Sequence, residues 1–368
     1  MVDLRSLLAM IFEKGASDLH LTVGAPPMMR LDGVLKPCCR DVLTPEISRE
    51  MVYSILNSEQ RAKFEDSWEL DLSVSLEGIG RFRVNVHRQR GVVEAAFRAI
   101  PDKIRSLTEL GLPNTVLGLT RKTNGLILVT GPTGMGKTTT LAAMLDQINS
   151  ERNCLIITIE DPIEYVLYHR KGIVKQREVG SDTHSFANGL RHILRQDPDV
   201  ICIGEMRDLE TISTAITAAE TGHLVLATLH TPNVPQTIDR IIDVFPSNQQ
   251  EQIRVQLAAC LEGVIAQQLI PKQGGGRVMA LELMVVTPAI RNIVRQQKTE
   301  QLLSMIQSGG ELGMITMDNS LISLYQQGYI SYEDALTRSN DPRTFHNTMM
   351  QKNNASAPPP QPKRFFGR

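Results

Sequence analysis

Residues 131–140 read GPTGMGKTTT and directly follow the apolar run LILVT at residues 126–130. This is the pattern G-x-x-x-x-G-K-[ST] at the end of a predicted strand, with a helix predicted to begin near Lys137. The glycines let such a loop curl so that its backbone N–H groups point at phosphate oxygens. The positive end of the helix faces the same anion. The alternative is a plain glycine-rich turn, but the strand–loop–helix context favours a nucleoside triphosphate site.

The loop residues predicted to bind ATP are contiguous in the chain: Gly131, Pro132, Thr133, Gly134, Met135, Gly136, Lys137, Thr138 and Thr139. We expect Lys137 to bring its charge to the β- and γ-phosphates and the Thr138 hydroxyl to bind Mg²⁺. Met135 stands at a position where the loop pattern accepts any residue. ATP and Mg²⁺ are therefore the predicted cofactors.

Length and composition narrow the class of protein. A chain of 368 residues favours two domains, and its 42% hydrophobic content supports real cores. With a net charge of −1, the chain has no excess of positive charge to attract nucleic-acid phosphates, so nucleic acid is not an expected partner. No apolar run of about 18 residues is present, so no transmembrane segment is expected. The five cysteines contain no C-x-x-C pair. This argues against a zinc ribbon or a disulfide framework and favours a reduced, cytoplasmic location.

Residues 1–100 are predicted to form a small α+β domain. Alternating patterns separated by short connections predict antiparallel strands, with Asp32 and Gly33 as a hairpin signal. The second and third helices each begin with a cap-like Thr or Ser, and Glu46 lies in the first turn of the second. The predicted helices are 4–14, 44–56 and 58–67. The predicted strands are 18–22, 27–31, 33–36, 70–76, 80–88 and 92–99.

Strands alternate with helices after a predicted linker at residues 101–115. This order predicts an α/β domain at 116–350, with a parallel sheet covered by helices. Its continuously apolar strands are typical of strands buried on both faces. The predicted strands are 126–130, 154–160, 200–204 and 223–229, and the predicted helices are 138–150, 186–195 and 209–221. Beyond Gln249 the pattern predicts mostly helix to about Met350. Residues 351–368 are Pro-rich and predict a disordered tail, whose basic-aromatic end is either a partner site or simply solvated.

Acidic residues follow the strand at 154–160. The stretch TIEDPIE brings Glu160, Asp161 and Glu164 to the end where ligands collect in open α/β sheets. Carboxylates near a phosphate site hold Mg²⁺ through water or accept a proton from an attacking water molecule. The alternative is a solvated acidic turn.

Two further strand ends carry polar side chains. Glu205 ends the run VICIGE, where it is suited to ordering Mg²⁺ waters or polarising the nucleophile; otherwise it is a helix-capping acid. The stretch TGHLVLATLHT places His223 before a buried strand and His230 after it. His230 is expected to report on the γ-phosphate. The alternative for both residues is a structural histidine; it is as well supported as a functional role for His223 and less well supported for His230.

Four motifs in order resemble those of the secretion ATPases, the hexameric motors of type II secretion and type IV pili. GPTGMGKTTT, ITIEDPIEY, ICIGEMRD and TGHLVLATLHT are similar to their Walker A, Asp box, Walker B and His box. The similarity extends over residues 1 to about 348. It implies a PAS-like N-terminal domain, a RecA-like P-loop ATPase domain and a helical C-terminal part.

Within this family the chain most resembles the pilus retraction ATPases, the PilT group. Its N-terminal region is short, the tetracysteine zinc motif of the assembly motors is absent, and AIRNIVR at residues 289–295 resembles their AIRNLIR motif. The tail after Met350 departs from the family pattern and leaves room for the accessory PilU-like subgroup or for a lineage-specific extension. The resemblance implies that Ala289, Ile290 and Arg291 serve coupling rather than catalysis. The alternative is an amphipathic surface helix.

The resemblance also implies how the site is completed. Arg83 and Arg98 fall where the arginine fingers of these motors lie. Arg81, Arg88 and Arg90 compete for that role, and the alternative is a solvated sheet face. Glu164 is the candidate general base, with Glu160 and Glu205 as further catalytic acids. Glu205 and Asp161 are expected to bind Mg²⁺ through water, and His230 to sense phosphate loss.

The implied partners are further copies of the chain in a homohexamer, an inner-membrane pilus platform protein and a paralogous retraction ATPase. The implied location is the cytoplasmic side of the inner membrane at the pilus base. A pilus assembly motor is a less favoured alternative. Two rivals come from other classes: a DNA-handling motor, and a regulatory ring that binds nucleotide without hydrolysing it. Sparse aromatics and neutral charge oppose the first, and the complete set of acids opposes the second.

Overall fold

The computed structural model describes residues 3–31, 33–100, 103–343 and 345–346. Its strands form two separate sheets, one of six strands and one of seven. We refer to residues 3–100 as the N-terminal unit and to residues 103–346 as the C-terminal unit. The predicted disordered tail at 351–368 lies outside the described residues.

The N-terminal unit consists of an antiparallel sheet with strand order β3-β2-β1-β6-β5-β4 and three helices. Along β5 buried apolar side chains alternate with half-buried or exposed polar ones, so one side of this strand faces the core. The helices are α1 (Leu4–Glu13), α2 (Pro45–Tyr53) and α3 (Ser58–Ser67). The strands are β1 (Asp18–Leu21), β2 (Met28–Leu31), β3 (Val34–Pro37), β4 (Glu69–Leu76), β5 (Gly80–Gln89) and β6 (Val92–Ile100).

Helix caps in this unit follow the sequence with one correction. Thr44 caps α2 as predicted, by accepting a hydrogen bond from the Ile47 N–H. The prediction that Ser58 caps α3 is wrong, because Asn57 accepts from the Gln60 N–H while the Gln60 side chain reaches back to Asn57. This reciprocal capping box satisfies two backbone donors together, which a Ser one residue later would not do.

The C-terminal unit contains a sheet of order β13-β12-β7-β11-β10-β8-β9, parallel except for β13. Helices cover both faces. The strands are β7 (Gly125–Thr130), β8 (Leu155–Glu160), β9 (Ile173–Glu178), β10 (Val200–Ile203), β11 (Leu224–Leu229), β12 (Leu261–Pro271) and β13 (Arg277–Val285). The helices are α4 (Asn114–Thr120), α5 (Lys137–Glu151), α6 (Phe186–Ile193), α7 (Leu209–Glu220), α8 (Val234–Asp243), α9 (Ser247–Cys260), α10 (Pro288–Arg295), α11 (Leu302–Ser308), α12 (Met317–Gln326) and α13 (Tyr332–Arg338), with short 3-10 turns at Thr299–Gln301 and Gly310–Leu312.

The middle strands are apolar throughout because they are covered on both sides. Every residue of β7 and β11 is buried, and one hydrophobic cluster lies on each face of the sheet. The carboxyl ends of these strands therefore meet along one edge, where polar side chains collect. Among the described helices, none is both long enough and apolar enough to cross a bilayer.

Three strands of the C-terminal unit were not predicted. The expectation of mostly helix beyond Gln249 is wrong for residues 261–285, which form the antiparallel hairpin β12–β13. Buried polar residues such as Gln267 obscured its strand pattern, and the Gly274–Gly275–Gly276 turn was the signal that could have found it. Strand β9 was missed because it is an edge strand with exposed and half-buried polar residues, so its sequence lacks a continuous apolar run.

Candidate active site

The phosphate loop connects the end of β7 to the start of α5. Gly136 occupies the cap position of α5 with φ of +82°, a left-handed conformation that glycine adopts without strain. Gly131 has φ of +141°, and a Cβ there would lie 2.4 Å from the Gln267 carbonyl oxygen. Only glycine fits at this position, so the backbone turns tightly beneath the N-terminus of α5.

Lys137 folds back across this loop. Its Nζ donates to the carbonyl oxygens of Gly131 at 2.7 Å and Pro132 at 3.1 Å. Burial lowers the pKa of Lys137, while the nearby carboxylates of Glu205 and Glu164 act in the opposite direction. An ammonium group held this way gains a stronger partner when phosphate oxygens enter the loop.

Glu205 follows β10 and faces the loop with His230. Its carboxylate pairs with Arg207 and lies 2.7 Å from His230 Nε2. The other ring nitrogen, Nδ1, lies 3.5 Å from Lys137 Nζ and 3.4 Å from the Thr133 hydroxyl. His230 therefore connects the acid of one strand end to the lysine of the phosphate loop.

Glu160 ends β8 on the other side of the loop. Its Oε1 accepts from the Thr158 hydroxyl at 2.6 Å and from Gln176 Nε2 at 2.9 Å. Burial raises the pKa of Glu160, against the effect of these two hydrogen bonds. Asp161 and Glu164 line the same cleft. The Tyr165 hydroxyl lies 3.0 Å from that of Thr139, which joins this acidic segment to α5.

The cleft beside the phosphate loop lies between the two units and has a volume of about 880 Å³. Arg83 on β5 and Arg98 on β6 are directly opposed across the antiparallel pair, and both line the cleft. Arg98 Nε also donates to Asp18 at 2.9 Å, while Arg83 is exposed. The predicted arginines thus face the predicted phosphate loop of the same chain. A cleft of this size is typical of small-molecule sites.

Matches to known proteins show the family of this chain. The model of the family described as "Type II/IV secretion system protein" matches residues 2–275. The chain belongs to this family. It is 48% identical to the type IV pilus retraction ATPase PilT of Pseudomonas aeruginosa, over 94% of this chain and 100% of PilT. It is 43% identical to the type IV pilus ATPase PilU of the same organism, over 92% of this chain and 89% of PilU.

A solved structure supports the same assignment. The crystal structure of the pilus retraction motor PilT with bound ADP superposes with a TM-score of 0.89 at 50% identity, covering 94% of this chain and 100% of that one. Similarity at this level over 94% of the chain makes it a secretion ATPase with the mixed α/β fold of its family.

The oxygen ligands around Thr138 fit a hard cation. Thr138, Glu160, Asp161 and Glu205 all line the cleft, and Mg²⁺ prefers such oxygen donors. No group of three or more His, Cys, Asp or Glu residues suited to a metal occurs in the described ranges. A magnesium ion carried by ATP does not require one, because phosphate oxygens and water supply most of its ligands.

Several cleft residues were not predicted. Gln267 on β12 donates from Nε2 to the Met135 carbonyl at 2.6 Å and accepts from the Thr140 hydroxyl at 2.9 Å, so it holds the phosphate loop from below. The Met135 sulfur also accepts from the Leu269 N–H at 3.2 Å. Further lining residues come from residues 103–111, from the β12–β13 hairpin and from the segment after α12: Arg105, Glu109, Lys272, Arg277 and Tyr329. None carries a local motif, so only the missed hairpin could have indicated some of them.

Gly131, Pro132 and Met135 of the phosphate loop do not themselves line the cleft, and four other predicted residues lie away from it. His223 lies before β11, at the opposite end from His230, and its Nδ1 is 2.9 Å from the Ala218 carbonyl oxygen. Ala289, Ile290 and Arg291 lie on α10. Ala289 is exposed, Ile290 is fully buried, and Arg291 bonds to the Ala258 and Ala259 carbonyls and to Glu262.

Proposed function

We propose that this chain is an ATP-hydrolysing motor that drives retraction of the type IV pilus. The observation that carries the proposal is the cleft itself. A phosphate loop, the four acids Glu160, Asp161, Glu164 and Glu205, and two arginines of the N-terminal unit converge on one space. The full-length similarity to PilT points to retraction as the work that this chemistry performs. A protein from Neisseria gonorrhoeae described as a twitching motility protein is 46% identical over 85% of this chain.

In this proposal each residue has a role in hydrolysis. Lys137 and the N–H groups of residues 131–139 bind the phosphates. Glu164 accepts the proton of the attacking water, with Glu160 and Glu205 as supporting acids. Arg83 and Arg98 stabilise charge on the transferred phosphoryl group, because the guanidinium fork matches phosphate oxygens. Mg²⁺, held by Thr138 and through water by Glu205 and Asp161, would neutralise phosphate charge. His230, which contacts both Glu205 and Lys137, would register the loss of the γ-phosphate.

The mechanical part of the proposal concerns the assembly. We propose a homohexamer in which a PAS-like domain (residues 1–100), joined by a linker (101–115), closes on a RecA-like domain (116–350) when ATP binds. Closure and opening would displace an inner-membrane platform protein from the cytoplasmic side. A paralogous retraction ATPase is a further proposed partner. Similarity to PilU makes an accessory retraction ATPase the second candidate.

The first experiment counts surface pili in cells whose only copy carries Lys137→Ala, beside wild type. More pili with lost surface motility are expected for a retraction motor. Fewer pili would mean that the motor drives assembly. With purified protein, phosphate release that requires DNA at several salt concentrations would favour the DNA-handling rival. Nucleotide binding without phosphate release would favour the regulatory ring.

A further inference from the structure

Two side chains of β9 hold the acidic segment at residues 160–167, which we call the Asp-box loop. Gln176 Nε2 donates to Glu160 Oε1 at 2.9 Å and to the Tyr165 carbonyl at 2.8 Å, while its Oε1 accepts from the Leu167 N–H at 2.8 Å. Glu178 Oε2 accepts from the Ile163 N–H at 3.1 Å. Strand β9 therefore forms hydrogen bonds to the Asp-box loop at its start, middle and end.

The same oxygen of Glu178 reaches the N-terminal unit. Arg81 Nη2, at the start of β5, donates to Glu178 Oε2 at 2.7 Å. One carboxylate oxygen thus bonds both to the other unit and to the backbone between Asp161 and Glu164. Within the described ranges, this is the single side-chain ion pair that joins the two units.

Burial strengthens the Arg81–Glu178 ion pair, but it also leaves one donor of Arg81 without a partner. The two side chains are only 19% and 9% exposed, so solvent screens the pair little. The backbone N–H of Glu178 donates to Asp182 at 2.8 Å, which anchors the end of β9. Arg81 Nε is buried and makes no hydrogen bond within the described part of the chain. A buried donor without a partner is costly and marks a group that another arrangement of the units could satisfy.

We propose that Glu178 is a positioning residue that links the N-terminal unit to the Asp-box acids. The proposal rests on ATP hydrolysis at the cleft, as proposed above. When Arg81 holds Glu178, its oxygen fixes the Ile163 backbone, and Asp161 and Glu164 on either side point into the cleft. When the N-terminal unit moves away, the oxygen loses its charged partner and the loop relaxes. Hydrolysis then depends on the position of a unit that carries none of the phosphate loop.

A double-mutant cycle tests this link through the hydrolysis rate. Arg81→Gln and Glu178→Gln are each expected to lower kcat about 10- to 100-fold, because small misplacements of catalytic groups have effects of this size. The affinity for a fluorescent ATP analogue should stay within about twofold. The double variant should be no slower than the slower single variant, because both changes break one link. Arg81→Lys, which keeps the charge, should recover part of the rate.

Two controls separate positioning from general damage. Lys175 lies on β9 with Glu178 but is exposed, so Lys175→Gln should hydrolyse ATP at the wild-type rate. Gln176→Leu removes hydrogen bonds to other atoms of the Asp-box loop. The factor by which it lowers kcat should therefore multiply with the factor for Arg81→Gln. If Glu178→Gln fails to fold, the Arg81→Gln variant alone still tests the link. It removes the contact between the two units but leaves the hydrogen bond between Glu178 and the Ile163 N–H in place.

The outcomes distinguish this link from the proposed function. Wild-type protein that hydrolyses ATP, with Arg81→Gln at the wild-type rate, would overturn the link alone. Effects of the two Gln variants that multiply in kcat would also overturn it, because the residues would then act independently. Wild-type protein without any ATP hydrolysis would overturn the proposed function and the link with it.

Discussion

Lys137 and Arg291 make similar contacts in two regions of the molecule that do different work. Lys137 Nζ donates to two carbonyl oxygens of the phosphate loop. Arg291 donates to the Ala258 and Ala259 carbonyls at the end of α9 and to Glu262. Lys137, however, borders a cleft of about 880 Å³, whereas Arg291 does not line it.

This difference shows that a sequence motif does not by itself tell whether its side chain binds a ligand or the protein's own backbone. Both residues lie in short motifs that the sequence singles out. The carbonyls around Lys137 are partners that a phosphate can replace, but those around Arg291 are the unpaired end of a helix, where a cation is favourable. The side chain of Arg291 therefore serves the protein's own backbone. Of the three residues named in the α10 motif, only Ala289 is exposed.

The strongest test of this comparison is Lys137→Ala. We expect ATP hydrolysis to fall by about 10³-fold or more, because the variant loses charge stabilisation at the phosphates. The unfolding temperature should change little, since burial already disfavours the charged form of Lys137. Phosphate release and thermal unfolding measure the two effects, with the exposed Lys175→Ala as a control. A loss of stability that matches the loss of activity would contradict the comparison.

Glu205→Gln should have the next largest effect. Loss of a strand-end acid is expected to lower kcat about 10²-fold, while ATP still binds, because the phosphate loop and Lys137 are untouched. The variant also changes the partner of His230 at 2.7 Å, so the release of phosphate and of ADP should be followed separately. A wild-type kcat would remove Glu205 from the catalytic set.

Arg291→Ala should act on stability instead of chemistry. Its removal leaves the two α9 carbonyls and Glu262 with fewer partners, and we expect a loss of about 1–3 kcal/mol in the free energy of unfolding. The hydrolysis rate per folded molecule should stay within about twofold. Urea unfolding measures the first effect, with the exposed Arg295→Ala expected to cost under about 0.5 kcal/mol. An unchanged unfolding curve would show that the Arg291 contacts contribute nothing.

Glu282, a buried carboxyl group that does not line the cleft, tests how stability depends on pH. It is fully buried, and its carboxylate accepts from the Val234 and Met317 N–H groups at 2.8 Å and 3.4 Å. Burial raises its pKa despite these bonds. A raised folded-state pKa adds stability that is full below the unfolded value and is lost as the pH rises through the folded value.

The expected result is a pH-dependent difference between wild type and Glu282→Gln. The free energy of unfolding of wild type, relative to the variant, should fall by about 1 kcal/mol or more as the pH rises from about 4 through the folded pKa. Denaturant unfolding across this range measures it. A difference that stays constant with pH would show that Glu282 titrates alike in both states.

The smallest effect on the purified protein is expected from Ala289→Glu. Ala289 is exposed and does not line the cleft, so stability and ATP hydrolysis should stay near wild type. If α10 contacts a partner, surface motility should nevertheless be lost. Motility and phosphate release, measured side by side, check this. Hydrolysis reduced as far as in Lys137→Ala would remove the coupling role from this helix.

Much of the site followed from local sequence, and the exceptions have physical reasons. The phosphate loop, Glu160, Asp161, Glu164, Glu205 and His230 all lie at the predicted edge, because the ends of parallel strands must meet there. His223 does not, since a strand has two ends and only one faces the ligand. Gln176, Glu178 and Gln267 were not predicted because their partners lie in other segments.

The sequence by itself determined the phosphate loop, the apolar strands and the Thr44 cap of α2, because each depends on residues a few positions apart. Only the tertiary structure decided which side chains meet. It opposed Arg83 and Arg98 across two strands, joined Arg81 to Glu178 and turned Arg291 towards the end of α9. Such contacts depend on strand order and packing between distant segments, and no local pattern of residues encodes them.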